Sequence, residues 1–394
     1  MAWKETNVIE ERMKFVAAYK SGGWTMSDLC REFGISRKTG YKYLERYESE
    51  GVEALKDRSR APKKQGRATR PNLVELVIEE RQKHPTWGSR KILASLQGRY
   101  PRVKGWPSAP TIGRILKREG LIEEKRRRRK YSRAKTEPLS HVIEPNDVWC
   151  ADYKGWFTVG DGKRCDPLTI TDAHSRFLLA CHAVPKTDTK HAQQVFTAVF
   201  REFGMPDAIR TDNGSPFASR GLAGLSRLSV WWLKLGIRLE RIEPGKPYQN
   251  GRHERMHLTL KRETTLPPQS TMRAQQKEFD RFRHEYNYDR PHEALKNRKP
   301  AQIYKRSHRQ FPEQLPEMAY PTSYEPHRVS EEGTIRYGVH RVFVTSVLAG
   351  EVIGLEEISD RHRRLYFSSA AIGVLDVYTG KVLQYSEPTP IIES

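Results

Sequence analysis

Three acids stand where metal chemistry can be built: Asp152, Asp212 and Glu254. Asp152 lies in "DVWCADYKGWFTV", which alternates like a strand, beside Trp149, Cys150, Ala151 and Tyr153. An acid buried unpaired in so apolar a strand costs several kcal/mol, so it demands a cation or a hydrogen-bond partner. Asp212 ends the short strand of "PDAIRTDNGSPF", just before an Asn-Gly turn that brings it to the rim of a sheet. Glu254 begins a helix once Pro247 and Gly251 have set the chain's approach. Strands side by side with a helix across them would gather the three carboxylates, and each would raise the others' pKa. Divalent cations remove that penalty. An all-oxygen set without Cys or His points to hard ions, Mg²⁺ first and Mn²⁺ as its substitute.

The elements that must position these acids read as a mixed α/β domain. "DPLTITDAHSRFLLACHAV" gives two strands with a turn near Asp172–Ser175. A helix follows over 188–203, then the strand before Asp212, a helix in "LSRLSVWWLKLG", a strand in "IRLERI" and the helix of Glu254. A long helix starts in "MRAQQKEFDRFRHEYNYDRPH". Asp161, Asp166 and Asp172 lie near turns and read as structural. Trp231-Trp232 reads as core and Arg290-Pro291-His292 as a chain reversal. Asn250-Gly251 stays open between a helix cap and a loop near a ligand. His253 reads as solvated decoration. Arg252, Arg255, His257, Lys261 and Arg262 on the Glu254 helix read as groups that attend to phosphates.

Charge supplies the partner class by its distribution. The chain of 394 residues has a net charge of +22. Residues 1–140 hold 34 Lys+Arg against 17 Asp+Glu, leaving 36 against 31 for the rest. A basic first third on a more neutral remainder is the footprint of a nucleic-acid-binding module. Apolar periodicity predicts a helix over 5–20. In "TMSDLCREFGISRKTGYKYLERY", Ser27 can cap a short helix through Phe33, Gly34 makes a turn, and Ser36 can cap a second helix through Tyr47. That is the helix-turn-helix pattern, with Arg37, Lys38, Thr39, Tyr41 and Lys42 facing a major groove. A second such unit spans 72–121, with helices starting at Ser89 and at Ser108 ahead of Pro110. Lys/Arg-rich segments at 56–71 and 122–140 read as linkers. Glycine-separated strands over 330–385 suggest a small SH3-like β-barrel. Four scattered cysteines suggest neither a zinc site nor disulfides, and no apolar run approaches a membrane span.

Four motifs taken in order, "WCADYKGWF", "RTDNGSPF", "GKPYQNGRHERMHLTLK" and "YNYDRPHEALKNRKPAQIY", resemble the core of the DDE transposases of bacterial insertion sequences, which share the retroviral-integrase catalytic domain. The resemblance covers about 140–305. It implies a multidomain α and α/β protein: helix-turn-helix units over 1–55 and 72–121, an RNase H-like core over 141–305, and the barrel. It places the catalytic, metal-binding acids on Asp152, Asp212 and Glu254, with two Mg²⁺ ions. It implies DNA end cleavage and strand transfer, hence transposition, recombination and integration, on double-stranded terminal repeats and target DNA. A dimer or tetramer on DNA, in the bacterial cytoplasm at the nucleoid and away from membranes, follows. Two departures stand out. The 41 residues between Asp212 and Glu254 exceed the commonest spacing, the excess falling in "ASRGLAGLSRLSV", and the zinc module of retroviral integrases is missing. A nuclease that never joins strands, or a DNA-binding regulator with a dead core, are the rival readings.

Overall fold

A computed structural model describes residues 7–58, 69–122, 142–243 and 246–384. The chain divides into two compact units, residues 1–68 and 69–394. Most of both basic segments, 56–71 and 122–140, lies outside the described residues.

The first unit is built from α1 (Val8–Lys20), α2 (Met26–Glu32) and α3 (Arg37–Glu50). Phe15, Leu29, Cys30, Tyr43, Leu44 and Leu55 form its core. Ser36 caps α3 by accepting the Thr39 N–H at 3.2 Å, as the sequence suggests. The cap of α2 is Thr25 rather than Ser27, because Thr25 accepts from Asp28 three residues on and draws Ser27 into the helix. Gly40 lies where α3 crosses its neighbours: a Cβ there would come within 2.9 Å of Phe15 and Met26 and within 2.8 Å of Cys30.

The second unit opens with α4 (Pro71–Lys83), α5 (Ser89–Arg99) and α6 (Ala109–Arg118), joined by Val77, Trp87, Ile92, Leu96, Ile112 and Leu116. Ser108 caps α6 as expected. Ser89 does not cap α5; it is the first helical residue and Gly88 holds the cap position without a side-chain bond. This trio leans on the following domain through His84–Glu285 (2.9 Å) and Arg90–Glu293 (3.1 Å) and a Thr86–Glu263 hydrogen bond.

The central sheet contains β1 (Val148–Tyr153), β2 (Phe157–Thr158), β3 (Arg164–Asp172), β4 (Leu178–Val184), β5 (Ala208–Thr211) and β6 (Arg238–Arg241). β1 lies between β3, antiparallel, and β5, parallel; β6 extends the parallel side, while β4 and β2 pair with β3. Side chains alternate between the faces of a strand. Trp149, Ala151, Leu168 and Ile170 pack against α7 (Thr189–Phe203) and α8 (Arg227–Lys234). Cys150, Asp152, Thr169 and Thr171 therefore face the opposite way. α9 (Gly251–Thr264) and α10 (Met272–His284) cover that side through Met256, Leu260, Phe279 and Phe282. The pair Arg290–Glu263 (2.8 Å), nearly fully buried, ties the chain reversal back to α9. All four cysteines are buried and unpaired.

The last strands are β7 (Tyr324–Arg328), β8 (Thr334–Tyr337), β9 (His340–Phe343), β10 (Val352–Glu357), β11 (His362–Phe367), β12 (Ala370–Asp376) and β13 (Lys381–Leu383). They do not close into the expected barrel. Among the described residues they form a five-stranded sheet, β13-β12-β11-β10-β7, and a separate β8–β9 hairpin. The physical reason is that their apolar face already has a cover: Leu225, Val230 and Leu233, the last two on α8, enter the same core as Ile335, Ile353, Leu365 and Leu375. Among the described residues no helix is long and apolar enough to cross a membrane.

Gly204 ends α7 at φ +77°, and a Cβ there would come within 2.8 Å of the Ser307 carbonyl oxygen and 2.9 Å of that of Arg309. Neither backbone can withdraw, because Ser307 N–H donates to the Phe203 carbonyl and Met205 N–H to that of Arg309. Gly204→Ala is expected to cost about 2–4 kcal/mol, read as a lowered thermal midpoint of the full chain.

Candidate active site

Asp152 sits opposite Thr169 in the β1–β3 ladder, with its side chain 20% exposed. Its carboxyl is pushed up to about 7, first by burial and then by the negative charges of Asp212 and Glu254. Both other acids therefore lie close enough for their fields to act on Asp152. Asp212 follows the last residue of β5, and its Oδ1 accepts the Gly214 N–H at 3.0 Å. Asn213 anchors the same turn by donating to the Ile242 carbonyl at 2.8 Å. A Cβ at position 214 would sit 3.1 Å from the Asp212 carboxylate, so glycine there lets the turn close on the acid. Glu254 is exposed in the first turn of α9. Asn250 precedes that helix, buried, and makes no capping bond.

Two histidines of α9 depart from the sequence reading. His253 is 2% exposed rather than solvated, and His257 is turned inward at 7% rather than toward phosphates. Spaced one helical turn apart, they share a face with Met256 and Leu260. Their partners fix a directional network. The Thr169 hydroxyl donates to the Asp152 carbonyl oxygen at 3.1 Å. It must then accept from Nε2–H of both His253 and His257, each at 2.7 Å. The Thr171 hydroxyl in turn serves Nδ1 of His253 at 3.0 Å. Burial holds both rings neutral, His253 down to about 3 and His257 to about 2, the latter lowered further by His253 and Lys154. One small hydroxyl thus joins α9 to the strand of Asp152.

The donor set decides what cation this place suits. Asp152, His253 and His257 bring ligand atoms within 4.8 Å of one another, a mixed nitrogen–oxygen group. Both Nε2 atoms are engaged with Thr169, leaving His257 Nδ1, 3.7 Å from Asp152 Oδ2, as the one imidazole nitrogen facing the carboxylate. Asp212 and Glu254 are not part of that group; they act on Asp152 through their charge.

Arg252, Arg255, Lys261 and Arg262 are exposed on α9. Lys154, just past the end of β1, joins them: burial lowers its pKa first and the charge of Lys261 lowers it next. The sequence reading missed Lys154, Thr169 and Thr171. Lys154 follows Asp152 by two, the spacing of one strand face, and that signal was present. In the first unit, Arg37, Lys38, Tyr41 and Lys42 are exposed along the start of α3. Thr39 is half-buried, its hydroxyl 2.9 Å from that of Ser36.

Comparison with known proteins agrees with this layout. Residues 143–247 and 235–300 match Integrase core domain families, 11–63 a Helix-turn-helix domain family, and 39–116 a Homeodomain-like domain family. The insertion element IS407 uncharacterized 31.7 kDa protein of Burkholderia multivorans is 27% identical over 59% of this chain and 78% of its own. The insertion element IS476 uncharacterized 39.2 kDa protein of Xanthomonas euvesicatoria is 28% identical over 58% of this chain; the chain spans 63% of that relative, under two thirds of its length. Among solved structures, the magnesium-bound HTLV-2 integrase catalytic core domain aligns with 42% of this chain and 100% of its own at 15% identity and TM-score 0.33. An intasome chain of simian T-cell lymphotropic virus aligns with 80% and 99% at 13% identity and TM-score 0.37. The chain carries helix-turn-helix domains and an integrase core. Over the matched stretches it is similar to proteins of insertion elements.

The hydroxyl hub gives a direct test. Thr169→Val keeps the shape but strands two buried imidazole N–H groups, each at a cost of about 1–3 kcal/mol. Its thermal midpoint should fall clearly below wild type, while Thr169→Ser restores most of the loss.

Proposed function

We propose that the protein cuts DNA at the ends of its element and joins the exposed 3′-hydroxyl to target DNA, with Asp152, Asp212 and Glu254 as catalytic, metal-holding acids. The observation that carries this reading is the pressure on Asp152, whose carboxyl is raised to about 7 by burial and by the other two acids. Three carboxylates so arranged in a strongly basic chain call for cations between them. Two Mg²⁺ ions, for which Mn²⁺ can substitute, would lower the pKa of the attacking water or hydroxyl and stabilise the leaving oxygen.

The chain's own residues do the remaining work. Asp152 would serve both ions, with Asp212 on one and Glu254 on the other. Arg252, Arg255, Lys261 and Arg262 would hold the phosphates on either side of the reacting one. No covalent link between protein and DNA is needed, so no Ser or Tyr nucleophile is assigned. Arg37, Lys38, Thr39, Tyr41 and Lys42 of α3 would read the terminal repeats of double-stranded DNA from the major groove. Two ends are joined in one event, so the working form is a dimer or tetramer on DNA, acting at the nucleoid in the bacterial cytoplasm.

Glu254→Gln should abolish both cutting and joining while leaving DNA affinity nearly unchanged, with Mg²⁺ and candidate end DNA as the assay. A variant that still cuts would remove Glu254 from the site. Supplying a pre-cut 3′ end isolates joining; a protein that nicks but never joins is a nuclease. Separately, Arg37→Ala or Lys38→Ala should weaken end binding in a gel-shift titration by about tenfold or more, the order of 1–3 kcal/mol per lost base contact, without altering the metal dependence of cutting.

A further inference from the structure

Beside the start of α9 lies a cavity of about 570 Å³, within the range of about 300–1,000 Å³ typical of ligand sites. It is walled by parts of the second unit that are remote in sequence: Lys91 of α5, Arg176 of the β3–β4 turn, Arg252 and Arg255 of α9, and the chain reversal after α10. Its lining is almost devoid of negative charge. The one acid among the lining residues, Asp172, is spent inside the protein: its carboxylate takes N–H groups from Asn146 and Ser175 and the Ser175 hydroxyl. Arg290, also in the wall, is neutralised by Glu263.

The cations that remain face one another. Burial is the main cause that lowers both, bringing the Lys91 ammonium down to about 8; the charge of Arg252 adds to it at Arg176, and those of Arg290 and Arg255 add to it at Lys91 against the pull of Glu263 and Glu293. The Nε of Arg176 is buried without a hydrogen-bond partner, as is Nε2 of His292 in the same wall. A folded protein keeps like charges half-buried together, with donors left over, at a steady cost in stability. A guest anion reverses that cost.

We propose that this cavity is a phosphate-binding site whose occupant is a phosphodiester of a DNA strand, held by Arg176 and Lys91 with Arg252 and Arg255 beside them. The inference rests on the DNA-acting reading of the neighbouring acids and adds a place for the strand as it leaves them. It also gives α5 a task separate from groove reading, since Lys91 contributes to a site on the catalytic domain. A free phosphate or mononucleotide offers the same chemistry, and the experiment separates the two sources.

The test uses the full chain and the variants Arg176→Gln and Lys91→Gln, with Lys277→Gln, exposed on α10 away from the cavity, as the control. Binding of a fluorescein-labelled thymidine oligonucleotide is titrated by anisotropy from low to high salt. Each cavity variant should lower the slope of log K against log[salt] by about 0.7 for one lost strand phosphate contact, and the control should lie on the wild-type line. Circular dichroism melts establish that the variants fold; the two lie on different elements, so a folding failure in one leaves the other to decide. Slopes unchanged in the folded variants, or shifted equally in the control, overturn the site. Stabilisation of wild type by inorganic phosphate or a mononucleotide, lost in the variants while oligonucleotide slopes stay put, overturns the DNA strand as occupant. If wild type neither binds the oligonucleotide nor cuts end DNA with Mg²⁺, the functional reading itself fails; wild-type cutting with unmoved slopes confines the failure to the cavity.

Discussion

A half-buried carboxylate near the end of a strand must be held in place against its own preference for water. Asp152 is under that tension, and the surrounding structure is arranged to bear it. Its main chain is clasped by Thr169, whose hydroxyl also receives the two neutral histidines of α9. The helix that carries Glu254 is thereby pinned to the strand that carries Asp152. Because burial holds the two imidazoles uncharged, they add no cation that would offset the charges of Asp212 and Glu254 on Asp152.

The elements that bear the three acids were legible because each is announced locally. Alternation marks β1, the Asp212-Asn213-Gly214 run marks a strand end, and proline and glycine mark the entry to α9. Four motifs in sequence order carry more than any one of them. What stayed hidden belongs to the third dimension. His253 and His257 were read by chemical type, as polar decoration and a phosphate contact, although their spacing with Met256, Leu260 and Thr264 follows the buried face of a helix. Periodicity should have outweighed chemical type there. Their partners, Thr169 and Thr171, could not be seen, since nothing in "DPLTITD" says which helix lies over it.

The same distinction explains the C-terminal strands. Their existence was readable from glycine-punctuated runs of Val, Ile and aromatic residues. Closure was not, because it depends on what covers the apolar face, and the cover comes from a helix about a hundred residues earlier. The cap of α2 is a smaller case: Thr25 and Ser27 are both able to cap, and the winner is the one with Asp28 at the matching distance.

α8 has a further consequence. Leu228 and Trp232 face the central sheet, while Val230 and Leu233 face the terminal strands, so this eight-residue helix has hydrophobic neighbours on both sides. Lys234 adds a clamp to Glu351 at 2.7 Å. The strand region is consequently no detachable appendage: a shortened protein ending near residue 310 would present an oily stripe along α8 and be prone to clump. Domain exchange between relatives would have to carry α8 along with the strands it supports.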